Sequence, residues 1–175
     1  MNELINGLLA YSRMERRQLE SDALDLSVLV QQALGECRED IAAHQIEIVA
    51  HLPPLMVRGD REGMALVLRN VLENAIKFSQ YSAHPRIEFG SEQDGKRISL
   101  WIRDNGIGFD MKYNQRIFEI FERLHRLEDY PGTGIGLALV KKAMQRMGGR
   151  VWAQSAPGEG ATFYLQLPAA QDNPK

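Results

Sequence analysis

A single cysteine, Cys37, is all the chain carries, so neither an internal disulfide nor a cysteine-built metal cage can form, and a reducing, cytoplasmic compartment is expected. No apolar run approaches the ~18 residues that span a bilayer, and Met1 to Arg17 lacks the basic flank and unbroken apolar stretch of an export signal. A soluble chain is expected, which remains compatible with a parent protein attached to a membrane. An excess of either charge is also lacking: a net charge of -2 makes no electrostatic case for nucleic acid as a partner. His44, His51, His84 and His125 form no HxxxH or HExxH pair, which leaves surface or capping roles for each. There is no GxxxxGK[ST] loop, and Gly106 and Gly108 lack the third glycine of a dinucleotide fingerprint, so the Walker and Rossmann readings drop out.

What is present is ordinary globular composition, 44% hydrophobic and 25% charged over 175 residues, enough for one compact domain with a sizeable core and a pocket. Leu4, Ile5, Leu8, Leu9 and Ser12 recur at helical spacing from Met1 to about Leu19, an apolar stripe that needs a second helix or a second subunit. After a polar stretch from Glu20 to Asp25, Ser27 is expected to cap a helix carrying Leu29, Val30, Ala33, Leu34, Cys37 and Ile41. Ile46, Ile48 and Ala50 alternate as a strand, Pro53-Pro54 breaks the chain, and a short strand follows near Leu55 to Arg58. Asp60 then caps a helix to about Ser79. Arg86 to Glu92 and Arg97 to Arg103 form a hairpin around Asp94-Gly95. Phe109 to Pro131 has no clean period and reads as a partly helical, mobile lid. A helix runs from the glycines at 132, 134 and 136 to about Met147, stopped by Gly148-Gly149, and two strands around Pro157 to Gly160 finish the chain before a frayed tail. The expected architecture is a mixed, mainly antiparallel sheet with helices on one face.

Four segments carry the chemistry. On the helix from Asp60 to Ser79, Asn70, Asn74, Lys77 and Phe78 fall within about 100° of arc, beside an apolar face of Met64, Leu68, Val71, Leu72, Ala75 and Ile76. Amide oxygens suit Mg²⁺, a lysine offers a point charge to phosphate, and a phenyl ring offers a face to a base. The same four side chains would also serve as a solvated polar stripe. Asp104 ends a strand before Gly106 and Gly108, where its carboxylate can accept from an adenine amino group or simply close an Asx-turn. Gly132, Thr133, Gly134, Gly136 and Leu137 surround a helix start, where free backbone N–H groups attract phosphate, with hinge or packing use as the alternative. Arg123 and Arg126 in the lid can reach a terminal phosphate bidentately. Gly158 to Phe163 form the fourth segment.

In order and spacing these segments resemble the N, G1, G2 and G3 boxes of the catalytic and ATP-binding domain of sensor histidine kinases. Ile117 to His125 looks like the intervening F box, and Phe121 to Gly136 is similar to kinases of the phytochrome and PAS-linked type. The resemblance covers about Leu24 to Pro168. It implies the Bergerat (GHKL) α/β two-layer sandwich, ATP and Mg²⁺. It implies Asn74 as principal Mg²⁺ ligand assisted by Asn70, Lys77 near the phosphates, Phe78 by the adenine and Asp104 on the adenine amino group. It further implies a site shaped by Gly106, Gly108, Gly132, Gly134 and Gly136, Arg123 toward the γ-phosphate and Thr162 near the base. In the related gyrase, chaperone and mismatch-repair ATPases a water-activating Glu stands four residues before the Mg²⁺-binding Asn. Here that position is Asn70, which disfavours hydrolysis as the main reaction.

Leu4 to Arg13 resembles the end of the second dimerisation helix of such a kinase, without the first helix and its acceptor-histidine box. The expected division is residues 1–20 as dimerisation remnant and linker, 21–168 as catalytic domain and 169–175 as tail. The expected function is presentation of Mg²⁺·ATP to a histidine outside the chain. The expected partners are the histidine-bearing dimerisation domain of the same parent protein, a downstream response regulator receiver domain, and a second copy through the N-terminal helix. The alternatives are an ATP-sensing module without transfer, and a serine kinase or ATPase of the same superfamily.

Overall fold

The computed structural model describes residues 2–124 and 132–171. Among the described residues seven strands and five helices follow in the order α1 (Asn2–Arg16), β1 (Asp22–Asp25), α2 (Leu26–Glu36), α3 (Arg38–Ala43), β2 (Glu47–Ala50), β3 (Met56–Gly59), α4 (Arg61–Ser79), β4 (Arg86–Asp94), β5 (Arg97–Asp104), α5 (Gly136–Arg146), β6 (Arg150–Ser155) and β7 (Ala161–Pro168). Five strands form one sheet in the order β2-β4-β5-β7-β6, and β1 pairs with β3 in a separate ribbon. Only the β2–β4 pair in the large sheet is parallel. This is the α/β two-layer sandwich expected from the sequence, with α4 and α5 on the sheet, α2 against α4 and α1 against α5. Among the described residues no helix is long and apolar enough to cross a membrane.

Strand parity decides what reaches the helical layer. Ile98, Leu100 and Ile102 of β5 stand opposite Leu167, Leu165 and Phe163 of β7, and all six are buried. Asp104 and Ala161 continue the same row. The intervening residues, Trp101 with Tyr164 and Arg103 with Thr162, belong to the opposite face. The two-residue connection Gly95-Lys96 closes β4 on β5, with Gly95 at a φ of 57°.

The helix starts follow from capping chemistry, with one correction. Asp25, not Ser27, caps α2: its Oδ1 accepts from the backbone N–H of Ser27 at 2.9 Å, from the Ser27 hydroxyl at 2.7 Å and from the N–H of Leu55 at 3.0 Å. A carboxylate serves three donors where a hydroxyl serves one, so the cap falls two residues earlier. The expected single helix through Ile41 is split at Cys37 into α2 and α3, and the polar stretch before it contains β1, whose Leu24 is buried. Asp60 caps α4 as expected, accepting from Gly63 N–H at 2.7 Å. The α4 face of Met64, Val67, Leu68, Val71, Leu72, Ala75 and Ile76 is buried, leaving its polar stripe turned elsewhere. No side chain caps α5.

Residues 109–124 are partly helical, as expected. Two single 3-10 turns, Met111–Tyr113 and Arg116–Phe118, bury Ile117 and Phe118, and the Phe118 ring meets Phe163 edge-on at 6.2 Å. Aromatic burial anchors this half to the core. The rest of the expected lid, with His125 and Arg126, lies outside the described residues, as do Met1 and residues 172–175.

Candidate functional site

One cavity of about 400 Å³ opens where α4, the end of β5, the 108–109 turn, the anchored 117–124 stretch and the start of α5 converge. Its lining includes Asn70, Asn74, Lys77, Phe78, Asp104, Gly108, Arg123, Gly132, Thr133, Gly134, Gly136 and Leu137, whereas Gly106 and Thr162 lie outside the lining and Arg126 outside the described residues.

The α4 stripe meets the glycine segments in order along the helix. Asn70 donates its Nδ2 to the carbonyl of Leu66 at 2.8 Å, and a Cβ on Gly136 would stand 3.0 Å from its Oδ1. Two turns on, Lys77 lies beside Gly132, where a Cβ would come within 3.0 Å of Nζ. At the helix end a Cβ on Gly106 would overlap the Phe78 carbonyl at 2.4 Å. Gly106 is thus a packing residue at the rim, where helix and loop approach too closely for a side chain. Gly134, at a φ of 74°, accepts from the N–H of Phe121 at 2.9 Å, and Arg123 donates to the carbonyl of Gly132.

Below this stripe sits Asp104, 4% exposed. Burial pushes its carboxyl up to about 6 from an ordinary 3.8, against the opposing pull of the backbone N–H groups of Gly106 and Ala161. The Gly106 bond is 2.9 Å, so the Asx-turn is present. Asp104 also belongs to the lining of the cavity. Lys77 is half-buried, its Nζ 4.7 Å from the centre of the Phe78 ring. Burial first, and the neighbouring Arg123 charge second, lower its ammonium below the ordinary value. Two neighbouring cations in a partly dry pocket repel one another, which favours an anion placed between them.

Thr162 is not brought to the cavity. Its Oγ1 accepts from Arg103 Nε at 3.2 Å on the other face of the sheet, and Ala161 and Phe163 line the cavity instead. The lining also holds Glu3, Glu73, Phe109, Ile117, Glu122 and Leu124, to none of which the sequence reading gives an individual site role. Ser155 is a further omission: its hydroxyl accepts from Phe109 N–H at 2.8 Å and donates to Gly160 C=O at 2.6 Å, tying the 106–109 turn to the last hairpin. Ala161 and Phe163 reach the cavity through the register of β7 on β5, and no local pattern marks Ser155.

Among the described residues no three His, Cys, Asp or Glu side chains gather to hold a metal by themselves. The donors at hand are the Asn70 and Asn74 amides and the Glu73 carboxylate, all in the lining. That set fits Mg²⁺, which typically takes few protein oxygens and completes its shell with phosphate and water.

The family model for histidine kinase-, DNA gyrase B-, and HSP90-like ATPases matches residues 59–171. Cyanobacterial phytochrome A of Nostoc sp. (strain PCC 7120) is 39% identical over 168 residues, 96% of this chain and 22% of that protein. Sensor protein kinase WalK of Staphylococcus haemolyticus is 32% identical over 176 residues, 96% of this chain and 28% of that protein. The chain thus spans about a fifth to a quarter of the length of these relatives. Among solved structures, the mycobacterial sensor histidine kinase MprB superposes with a TM-score of 0.77 at 27% identity, covering 87% of this chain and 100% of that one. Full-length ShkA in complex with AMPPNP gives 0.81 at 27% identity, over 97% and 36%. The chain belongs to the histidine kinase-, DNA gyrase B- and HSP90-like ATPase family and carries its ATP-binding domain.

Proposed function

We propose that the chain is the catalytic domain of a sensor histidine kinase and presents Mg²⁺·ATP to a histidine on a dimerisation domain outside it. The observation that carries this reading is one cavity holding a buried carboxyl that forms no ion pair among the described residues, two amides, and two cations beside a glycine-rich helix start. Asp104 accepts from the adenine amino group, with Phe78 and the apolar wall of Ala161 and Phe163 around the base. Asn74, helped by Asn70, holds Mg²⁺, which neutralises phosphate charge when bound. Lys77 and Arg123 take the terminal phosphates, and the uncapped first turn of α5 adds backbone N–H groups. In the transfer, the acceptor imidazole forms an N–P bond to the γ-phosphoryl as its bond to the bridging oxygen breaks and ADP leaves. The protein's contribution is position and charge, not covalent chemistry. Asn70 occupies the place of a water-activating acid, and an amide cannot take a proton from water. Solved ThkA in complex with a response regulator, similar in fold, fits a receiver domain as the next acceptor. The exposed Leu4, Ile5, Leu8 and Leu9 of α1 fit pairing with a second copy.

The test mixes the chain with radiolabelled ATP, Mg²⁺ and a separate dimerisation segment bearing the acceptor histidine. Acid-labile label on that segment, abolished by Asn74→Ala, is expected. Nucleotide binding without transfer would favour a sensing module, acid-stable label a serine kinase, and rapid ADP release without acceptor an ATPase.

A further inference from the structure

The N-terminal helix lies outside the region matched to the family, yet it reaches the nucleotide cavity. Its inward face runs Glu3, Gly7, Ala10, Tyr11, Met14, the spacing of one helical stripe. Met14 is 4% exposed, Ala10 and Tyr11 pack on the core, and a Cβ on Gly7 would touch the Ile135 side chain at 3.1 Å. Three charged contacts hold the helix down. Arg146 of α5 donates to the carbonyls of Met14 and, at 2.7 Å, Arg17, closing the C-terminus of α1. Lys142 pairs with Glu15 at 3.2 Å, and Arg17 pairs with the buried Asp60 cap of α4. Ile135 immediately precedes Gly136, so docking Gly7 there carries Glu3, one turn earlier, into the lining beside Asn70, Glu73 and Leu137.

We propose that Glu3 is a positioning residue of the nucleotide site, and that docking of α1 sets how strongly the site prefers Mg²⁺·ATP over metal-free ATP. The inference rests on the placement of Mg²⁺ at Asn70 and Asn74 given above. A carboxylate at that end repels a bare triphosphate and attracts a divalent cation, so its presence widens the difference between the two ligands. Because coupling is reciprocal, Mg²⁺·ATP favours the docked helix more than metal-free ATP does. The helix that carries the exposed apolar stripe thereby communicates with the phosphate end of the cavity.

Calorimetry of the full chain with ATP, in Mg²⁺ and in EDTA, gives the ratio of the two affinities. In Glu3→Gln this ratio falls about fivefold, the size expected of an exposed charge facing a divalent partner. Arg146→Ala, which loosens α1 from an exposed position, lowers the ratio in the same direction, and the double variant goes no further than Glu3→Gln alone. Amide exchange in α1 slows on adding Mg²⁺·ATP in the parent chain and less so in Glu3→Gln. An unchanged ratio in Glu3→Gln, or additive effects of the two substitutions, overturns the coupling while leaving the site assignment intact. Absence of any Mg²⁺ effect in the parent chain overturns the site assignment and the coupling with it.

Discussion

Replacing Asp104 by Asn should strengthen the fold and weaken the ligand, and the opposition of the two effects is the test. Asp104 is 4% exposed and its carboxyl is pushed from an ordinary 3.8 up to about 6 by burial. At about 1.36 kcal/mol per pKa unit, ionised Asp104 lowers native stability by about 3 kcal/mol above pH 6. The raised folded value means the native state binds the extra proton between pH 4 and 6. Stability from this group is fully present below pH 4 and is lost as pH rises through 6. Asn keeps an acceptor for Gly106 N–H but not for every backbone donor, which costs about 1 kcal/mol. The net gain at pH 8 is therefore about 2 kcal/mol, or about 4–8 °C in Tm for a chain of this size. At pH 4 the electrostatic gain is largely gone and the lost hydrogen bond leaves the variant less stable by up to about 1 kcal/mol. For ATP the sign reverses: losing a charged acceptor costs about 1.5–3 kcal/mol, roughly ten- to a hundredfold in affinity. In the parent chain ATP affinity should itself decline as pH falls below 6, approaching that of the variant. Denaturant melts from pH 4 to 8 and calorimetry from pH 5 to 8 read both effects. A variant less stable than the parent at pH 8, or a stability difference that does not change with pH, would refute the electrostatic argument. Unchanged ATP affinity would remove Asp104 from the adenine contact.

Asn74→Ala should abolish the Mg²⁺ dependence of ATP binding, measured by calorimetry, while the circular dichroism spectrum stays that of the parent. Gly160→Ala should destabilise by about 3 kcal/mol or more in urea melts, since its φ of 77° disfavours a side chain and a Cβ would lie 2.0 Å from the Asp104 carbonyl. Thr162→Val should leave ATP affinity unchanged, whereas Ala161→Leu should reduce it at least about tenfold by filling the cavity wall. The reverse pattern would mean that the β7 register is wrong.

That last pair of substitutions also marks where sequence stops being legible. The α4 stripe could be read because helical spacing is a local property: Asn70, Asn74, Lys77 and Phe78 share an arc whatever α4 packs against, and the cavity holds all four. The glycines were readable because tight backbone approach excludes a side chain, as the Gly106 and Gly160 contacts confirm. Which of Ala161 and Thr162 faces the ligand depends instead on the register of β7 against β5, a non-local pairing in which one residue of slip exchanges the faces. The family resemblance implies the polar neighbour near the base, whereas the pairing of Asp104 with Ala161 puts Ala161 in the cavity wall. Docking of α1 was hidden for a related reason. Its apolar stripe of Leu4, Ile5, Leu8 and Leu9 is the exposed face, while the packed face rests on Gly7 and Ala10 and ends in two arginine contacts, Arg146 of α5 on the Arg17 carbonyl and Arg17 on the Asp60 cap of α4, that no hydrophobic periodicity reveals. Close approach through small residues brings Glu3 to the cavity, so the part of the site least visible in the sequence is the part supplied by tertiary packing.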